Sequence, residues 1–236
     1  MRELPILFNT PMVQAILEGR KTMTRRVIKP KTLEKFINLI WNPNENLRFS
    51  PYQPGDRLWV QETWKIDSLL RDRPDYPVAI DFKAVQNGYS QAEIMCKFTQ
   101  DRFEKFKKFY KKPGWQSPYF MPKEAARIWL EVTGVRVERL QEIAEEDALN
   151  EGIQGYTKDG ILYKYCVNYD SWAENFKAPK RISQTPWQGM PHSAIEAFSQ
   201  LWDSTLPKPN NKFKRNMNSW SDNPWVWAIS FRRVEP

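Results

Sequence analysis

The chain has 236 residues, 41% hydrophobic and 14% aromatic, enough for one sizeable core or two small ones, which excludes disorder as its main state. Lys and Arg number 36 against 28 Asp and Glu, a formal charge of +8 that favours phosphate-rich or acidic partners. One histidine (His192) and two cysteines (Cys96, Cys166) exclude a disulfide framework and a His- or Cys-rich zinc site.

Neither a metal nor a cofactor is expected, because HExxH, CxxC, calcium-loop and GxGxxG spacings are all missing. Gly19-Arg20-Lys21-Thr22 imitates a phosphate loop but has one glycine and no backbone cradle. No run nears the roughly 18 apolar residues of a membrane span. The opening MRELPILFNT lacks the basic-then-apolar pattern of a secretion signal, so the expectation is a cytoplasmic protein with reduced thiols and no membrane partner.

In chain order, the apolar run at residues 4–9 predicts a strand, and Thr10-Pro11 supplies a cap and a first-turn proline for a short helix ended by Gly19. Residues 20–28 are the densest polar constellation in the chain. Pro54-Gly55-Asp56 is a turn leading into a strand over residues 57–64, with Leu58, Val60, Glu62 and Trp64 on one face and Arg57, Trp59, Gln61 and Thr63 on the other. Residues 66–118 have weak periodicity, a Lys/Phe-rich patch at Asp101–Lys112 and a turn at Pro113-Gly114, and read as an insertion bearing basic surface.

Alternation returns at residues 126–140 as one long or broken strand, with Ile128, Leu130 and Val132 inward and Gly134 marking a bulge or bend. Residues 143–152, acidic early and ending in glycine, form a short helix. A second, aromatic-rich insertion spans 154–190. Residues 193–202 are an amphipathic helix whose start includes His192, and residues 224–234 alternate as a closing strand. The elements predict an α+β fold, a small mixed β-barrel with short helices, in a single domain over 1–236 with insertions at about 66–118 and 154–190.

The run Leu17-Glu18-Gly19-Arg20-Lys21-Thr22-Met23-Thr24-Arg25-Arg26, the segment Pro54-Gly55-Asp56-Arg57-Leu58-Trp59-Val60, and Leu130-Glu131-Val132 leading to residues 145–153 resemble the ASCH domain, a relative of the PUA fold. The closing strand also suits it. The chain is similar to the longer ASCH proteins of phages and prophages. The resemblance implies a PUA-like barrel with a cleft lined by these segments. It further implies RNA or nucleotide binding or, as in small ASCH amidohydrolases, removal of an acyl group from the exocyclic amine of cytidine. Their lysine, threonine three positions on, and distant glutamate match Lys21, Thr24 and Glu151 here. The chain is more than twice as long as those enzymes, and its insertions fall outside the resemblance.

Amide hydrolysis needs a nucleophile, a base, an oxyanion stabiliser and an acid for the leaving amine. Thr24 supplies a hydroxyl, and Lys21 takes its proton if neighbouring Arg20, Arg25 and Arg26 lower its pKa, or stabilises the oxyanion if it stays charged. Residues 21 and 24 face oppositely in a regular strand, so a helical turn or bulge is expected between them. Arg20 and Arg26 would contact phosphate or a carbonyl, Trp59 or Trp64 would stack on a base, and Glu62 would accept from an exocyclic amine; the alternatives are a solvated basic face, core tryptophans and a paired rim charge. Three readings stay open: a metal-independent amidohydrolase acting on a modified nucleoside, a nucleic-acid-binding module without turnover, and a ribonuclease using the same cleft.

Overall fold

The computed structural model describes residues 1–29, 31–32, 34, 47–69, 77–84, 94–110, 114–177, 185–206 and 218–235. They form an α+β protein of two compact units: Met1–Glu18, Gly55–Glu131 and Arg232–Pro236 make the first, and Gly19–Pro54 with Val132–Phe231 the second. Two long strands, β7 (Trp129–Arg139) and β10 (Trp225–Val234), pass from one unit's residues to the other's.

In the first unit β1 (Glu3–Leu7) runs parallel to β3 (Arg57–Gln61), which pairs antiparallel with the start of β7, Leu58 facing Leu130. The helix α1 (Thr10–Leu17) is capped by the Asn9 side chain, which accepts from the Met12 N–H, and it ends at Gly19 in the left-handed region at φ +75. The alternation of the 57–64 segment sets its packing: Leu58, Val60, Glu62 and Trp64 are all buried, whereas their neighbours are only partly so.

The first insertion folds into a second antiparallel sheet, β4 (Trp64–Leu69), β5 (Pro77–Phe82) and β6 (Ile94–Lys97), carrying the helix α2 (Gln100–Tyr110). Its core joins Trp64, Val78, Ile80, Phe82, Phe98 and Phe103. Weak periodicity in the sequence reflects a central strand, β5, buried on both faces and a helix whose mean composition is polar. The expected basic patch lies on α2 in part; Lys111, Lys112 and Pro113 fall outside the described residues.

In the second unit β2 (Met23–Val27) pairs antiparallel with β10, Thr24 opposite Ile229 and Arg26 opposite Trp227. β7 runs as one strand through Gly134, where an added Cβ would meet the Ser230 side chain at 3.9 Å. Two helices pack over this region, α3 (Glu145–Asn150) and α5 (Ala194–Thr205), and the Glu145 carboxylate accepts the Ala194 N–H at 2.9 Å. Ser193 caps α5, with His192 just before it as expected. The second insertion forms a hairpin of β8 (Gln154–Thr157) and β9 (Tyr163–Cys166) followed by α4 (Tyr169–Asn175).

The expected closed barrel is not formed among the described residues. β1 and β2 are each laddered on one side only, so these strands end in edges. Among the described residues no helix is long and apolar enough to cross a membrane, and no group of three or more His, Cys, Asp or Glu side chains is arranged to hold a metal ion.

Candidate functional site

The polar run at residues 20–26 lies in the second unit, where the entry to β2 meets the end of α3. Lys21 forms an isolated antiparallel bridge with Glu151. The backbone then switches partner at Thr22, whose N–H bonds the Asn150 carbonyl at 2.9 Å while its carbonyl accepts from Phe231 N–H at 2.8 Å. No helical turn lies between residues 21 and 24: the chain passes from the bridge at Lys21 into β2 with a change of partner at Thr22. Beyond it, ladder alternation turns the Met23 carbonyl away from β10.

That outward carbonyl receives the Lys21 ammonium. Lys21 Nζ lies 2.8 Å from Met23 O, 2.9 Å from Glu151 O and 2.6 Å from Glu151 Oε2. The two side chains, 130 residues apart in sequence, are almost wholly buried, at 0% and 3% exposure. Three acceptors match the three N–H donors of an ammonium. Burial lowers the Lys21 pKa, with Arg26 and Arg25 adding to that fall and Glu151 opposing it.

Sequence reasoning named Arg25 only as a neighbouring charge, yet its buried guanidinium organises the site. Its Nε lies 2.7 Å from Glu138 Oε1, Nη2 lies 2.8 Å from Asp147 Oδ2, and Nη1 lies 3.4 Å from Glu151 Oε1. Arg136 joins Glu138 at 2.6 Å and also bonds Asp147. The cations Lys21, Arg25 and Arg136 therefore face the carboxylates of Glu138, Asp147 and Glu151, a balanced network around a nearly dry centre. Glu138, Asp147 and Arg136 were missed because partners over 100 residues away decide their roles. The available signals were the Arg136/Glu138 pairing at i, i+2 on one strand face and an acid in the first turn of α3.

Thr24 is 3% exposed on β2, and among the described residues no group hydrogen-bonds its hydroxyl. Arg20 Nη1 holds the carbonyl of Gly152 at 2.6 Å, fixing the left-handed glycine (φ +101) that ends the α3 segment. Arg26 is partly buried; burial lowers its guanidinium pKa, and its coupling to Tyr52 and Glu151 opposes that fall.

Trp59, Glu62 and Trp64 belong to the first unit. Trp59 is partly buried against that unit's aromatic core. Trp64 has no exposed ring face: it is 0% exposed, lies 5.4 Å from the Phe109 ring, and donates its indole N–H to Ser117 O at 3.3 Å. Both oxygens of Glu62 are taken by Arg127, at 2.9 and 2.8 Å. Burial raises the Glu62 pKa, and Arg127 opposes the rise.

Comparison with family models, curated proteins and solved structures found no match for this chain.

Proposed function

We propose that the second unit is a hydrolase site of the ASCH, PUA-like kind, removing an acyl group from the exocyclic amine of cytidine or a related modified nucleoside without a metal. The observation that carries this reading is the buried 2.6 Å contact of Lys21 with Glu151, three positions in sequence from Thr24, a residue 3% exposed. Acyl transfer to oxygen requires a proton-exchanging group within reach of an alcohol, and this scheme assigns those parts to the Lys21–Glu151 pair and to Thr24.

In this scheme Thr24 Oγ1 attacks the acyl carbonyl, and the Lys21–Glu151 pair takes its proton. The same pair returns that proton to the departing exocyclic amine as the carbon–nitrogen bond breaks. Water then cleaves the Thr24 ester, releasing the acid and restoring the hydroxyl. Arg25 holds Glu151 in place through the second carboxylate oxygen.

The test is acyl release from a panel of N-acylated cytidines by the purified full chain, with and without a chelator. Turnover that survives chelation and falls by at least about 100-fold in Thr24→Ala, with an unaltered circular dichroism spectrum, is the expected result. No release from any substrate, or an undiminished rate in Thr24→Ala, overturns the reading.

One observation favours a second reading, a nucleic-acid-binding module without turnover. The three donors of Lys21 are already engaged, as in a strut that fixes a strand edge, and the chain carries +8. Salt-sensitive binding of RNA combined with no acyl release would select it.

A further inference from the structure

The first unit presents aromatic rings that its core does not use. Tyr119, Phe120 and Trp115 are 71%, 53% and 45% exposed, within a span of six residues. Phe120 and Tyr119 are the outer end of a ring series that begins in the core. The Trp64 and Phe109 centroids are 5.4 Å apart, those of Phe109 and Phe120 6.0 Å, and those of Phe120 and Tyr119 5.4 Å with planes at 84°.

The segment that bears these rings is fixed by its backbone. Gln116 N–H bonds Trp64 O at 2.7 Å, the Trp64 indole N–H bonds Ser117 O, and Gln116 Nε2 bonds Gly114 O at 2.9 Å. Gly114 takes a φ of +94, which a side chain would resist, and Phe120 N–H closes a short 3-10 turn on Ser117 O at 3.1 Å. The backbone that carries the rings is therefore ordered before any partner arrives, which lowers the entropic cost of stacking on them.

Cations stand among the rings. The second half of α2 reads Lys105-Phe106-Lys107-Lys108-Phe109-Tyr110, three lysines and no acid. Lys108 Nζ lies 5.1 Å from the Phe109 ring centre, and Lys65 Nζ 5.5 Å from that of Trp115. Lys65 and Lys107 are neutralised by Asp81 and Glu104, whereas Lys105 and Lys108 make no ion pair among the described residues. A purely apolar partner would leave the Lys108 ammonium, set over the Phe109 ring, without counter-charge. A duplex hides the flat faces of its bases. A single strand, with exposed bases on a phosphate backbone, answers both the rings and the lysines.

We propose that Trp115, Tyr119 and Phe120, with Lys105 and Lys108, form a docking platform for single-stranded nucleic acid. The platform is independent of the reaction assigned to the second unit. Thr24→Ala leaves it intact, and loss of its rings leaves hydrolysis of a free nucleoside unchanged, so the two readings fail separately.

The experiment is fluorescence anisotropy of a labelled RNA or DNA single strand of about 15 nucleotides, titrated with the full chain across a salt series and against a duplex competitor. The expected result is preference for the single strand and loss of at least about 10-fold in affinity in the Tyr119→Ala/Phe120→Ala double variant. Because both rings are exposed, its melting temperature should hold. Trp115→Phe retains binding where Trp115→Ala weakens it, and Lys105→Gln and Lys108→Gln each flatten the slope of log K against log salt by about 0.7. No binding, equal binding to duplex, or unchanged affinity in the double variant overturns the proposal. So does sedimentation that finds the rings buried in a dimer of this chain.

Discussion

Removing Lys21 and Glu151 one at a time and together tests whether the buried pair is a single energetic unit. Lys21→Met deletes a side chain with no exposure and leaves Met23 O, Glu151 O and Glu151 Oε2 without their donor. Glu151→Leu leaves an ammonium buried without the carboxylate that neutralises it. Breaking a buried pair from one side costs about 3–5 kcal/mol. No discount for solvent applies, because the side chains are 0% and 3% exposed. With an m-value near 2 kcal/mol/M, each single variant moves the urea midpoint down by roughly 1.5–2.5 M. The double variant removes both charges, and Arg25 keeps Glu138 and Asp147. Its cost should fall at least about 2 kcal/mol short of the sum of the singles. Urea unfolding followed by tryptophan fluorescence and circular dichroism measures all three. Single costs that add to within about 0.5 kcal/mol would falsify the claim of a coupled unit.

If Lys21 works as the base, its lowered pKa makes the free amine accessible below the ordinary lysine value of 10.5, so turnover climbs with pH and levels off short of that value; a flat profile counts against it. Arg127→Met strands the buried Glu62 carboxylate and costs the first unit about 3 kcal/mol near neutrality, read by thermal melting. Because burial already raises the Glu62 pKa, falling pH protonates it before an ordinary glutamate, and the deficit of the variant must shrink as pH drops. Burial pushes the Cys96 and Cys166 thiols up to about 12, so native protein at about pH 8 resists iodoacetamide and unfolded protein takes two labels by mass spectrometry. Raised thiol values stabilise the fold fully below the ordinary 9.0, and that share of stability is lost as pH rises toward about 12.

Much of the backbone was legible because local rules and burial agree. Strict alternation at Leu58, Val60, Glu62 and Trp64 became a buried face, and the glycine ending residues 143–152 became a left-handed stop at Gly152. The α1 cap moved by one residue: Asn9 supplies the accepting oxygen, and Thr10 begins the helix. The first insertion was opaque, since its central strand is buried on both faces and leaves no period-2 signal, and its core depends on rings brought together from β4, β5 and α2. In the site, residue chemistry singled out the 20–26 run, and the family resemblance alone supplied Glu151. Sequence distance hid the rest. Arg25 finds Glu138 after 113 residues and Asp147 after 122, pairings that no local pattern encodes.

The ladder on β2 stops at one flank, and the Lys21 amine with the Asn150–Glu151 corner occupies the flank that remains. An open strand margin is a template on which foreign chains can grow as additional strands. Whatever chemistry the amine performs, it also occupies Met23 O, one of the acceptors that margin would offer an incoming strand. Variants without it therefore carry a second liability, self-assembly on standing, that a measurement of folding free energy would not report.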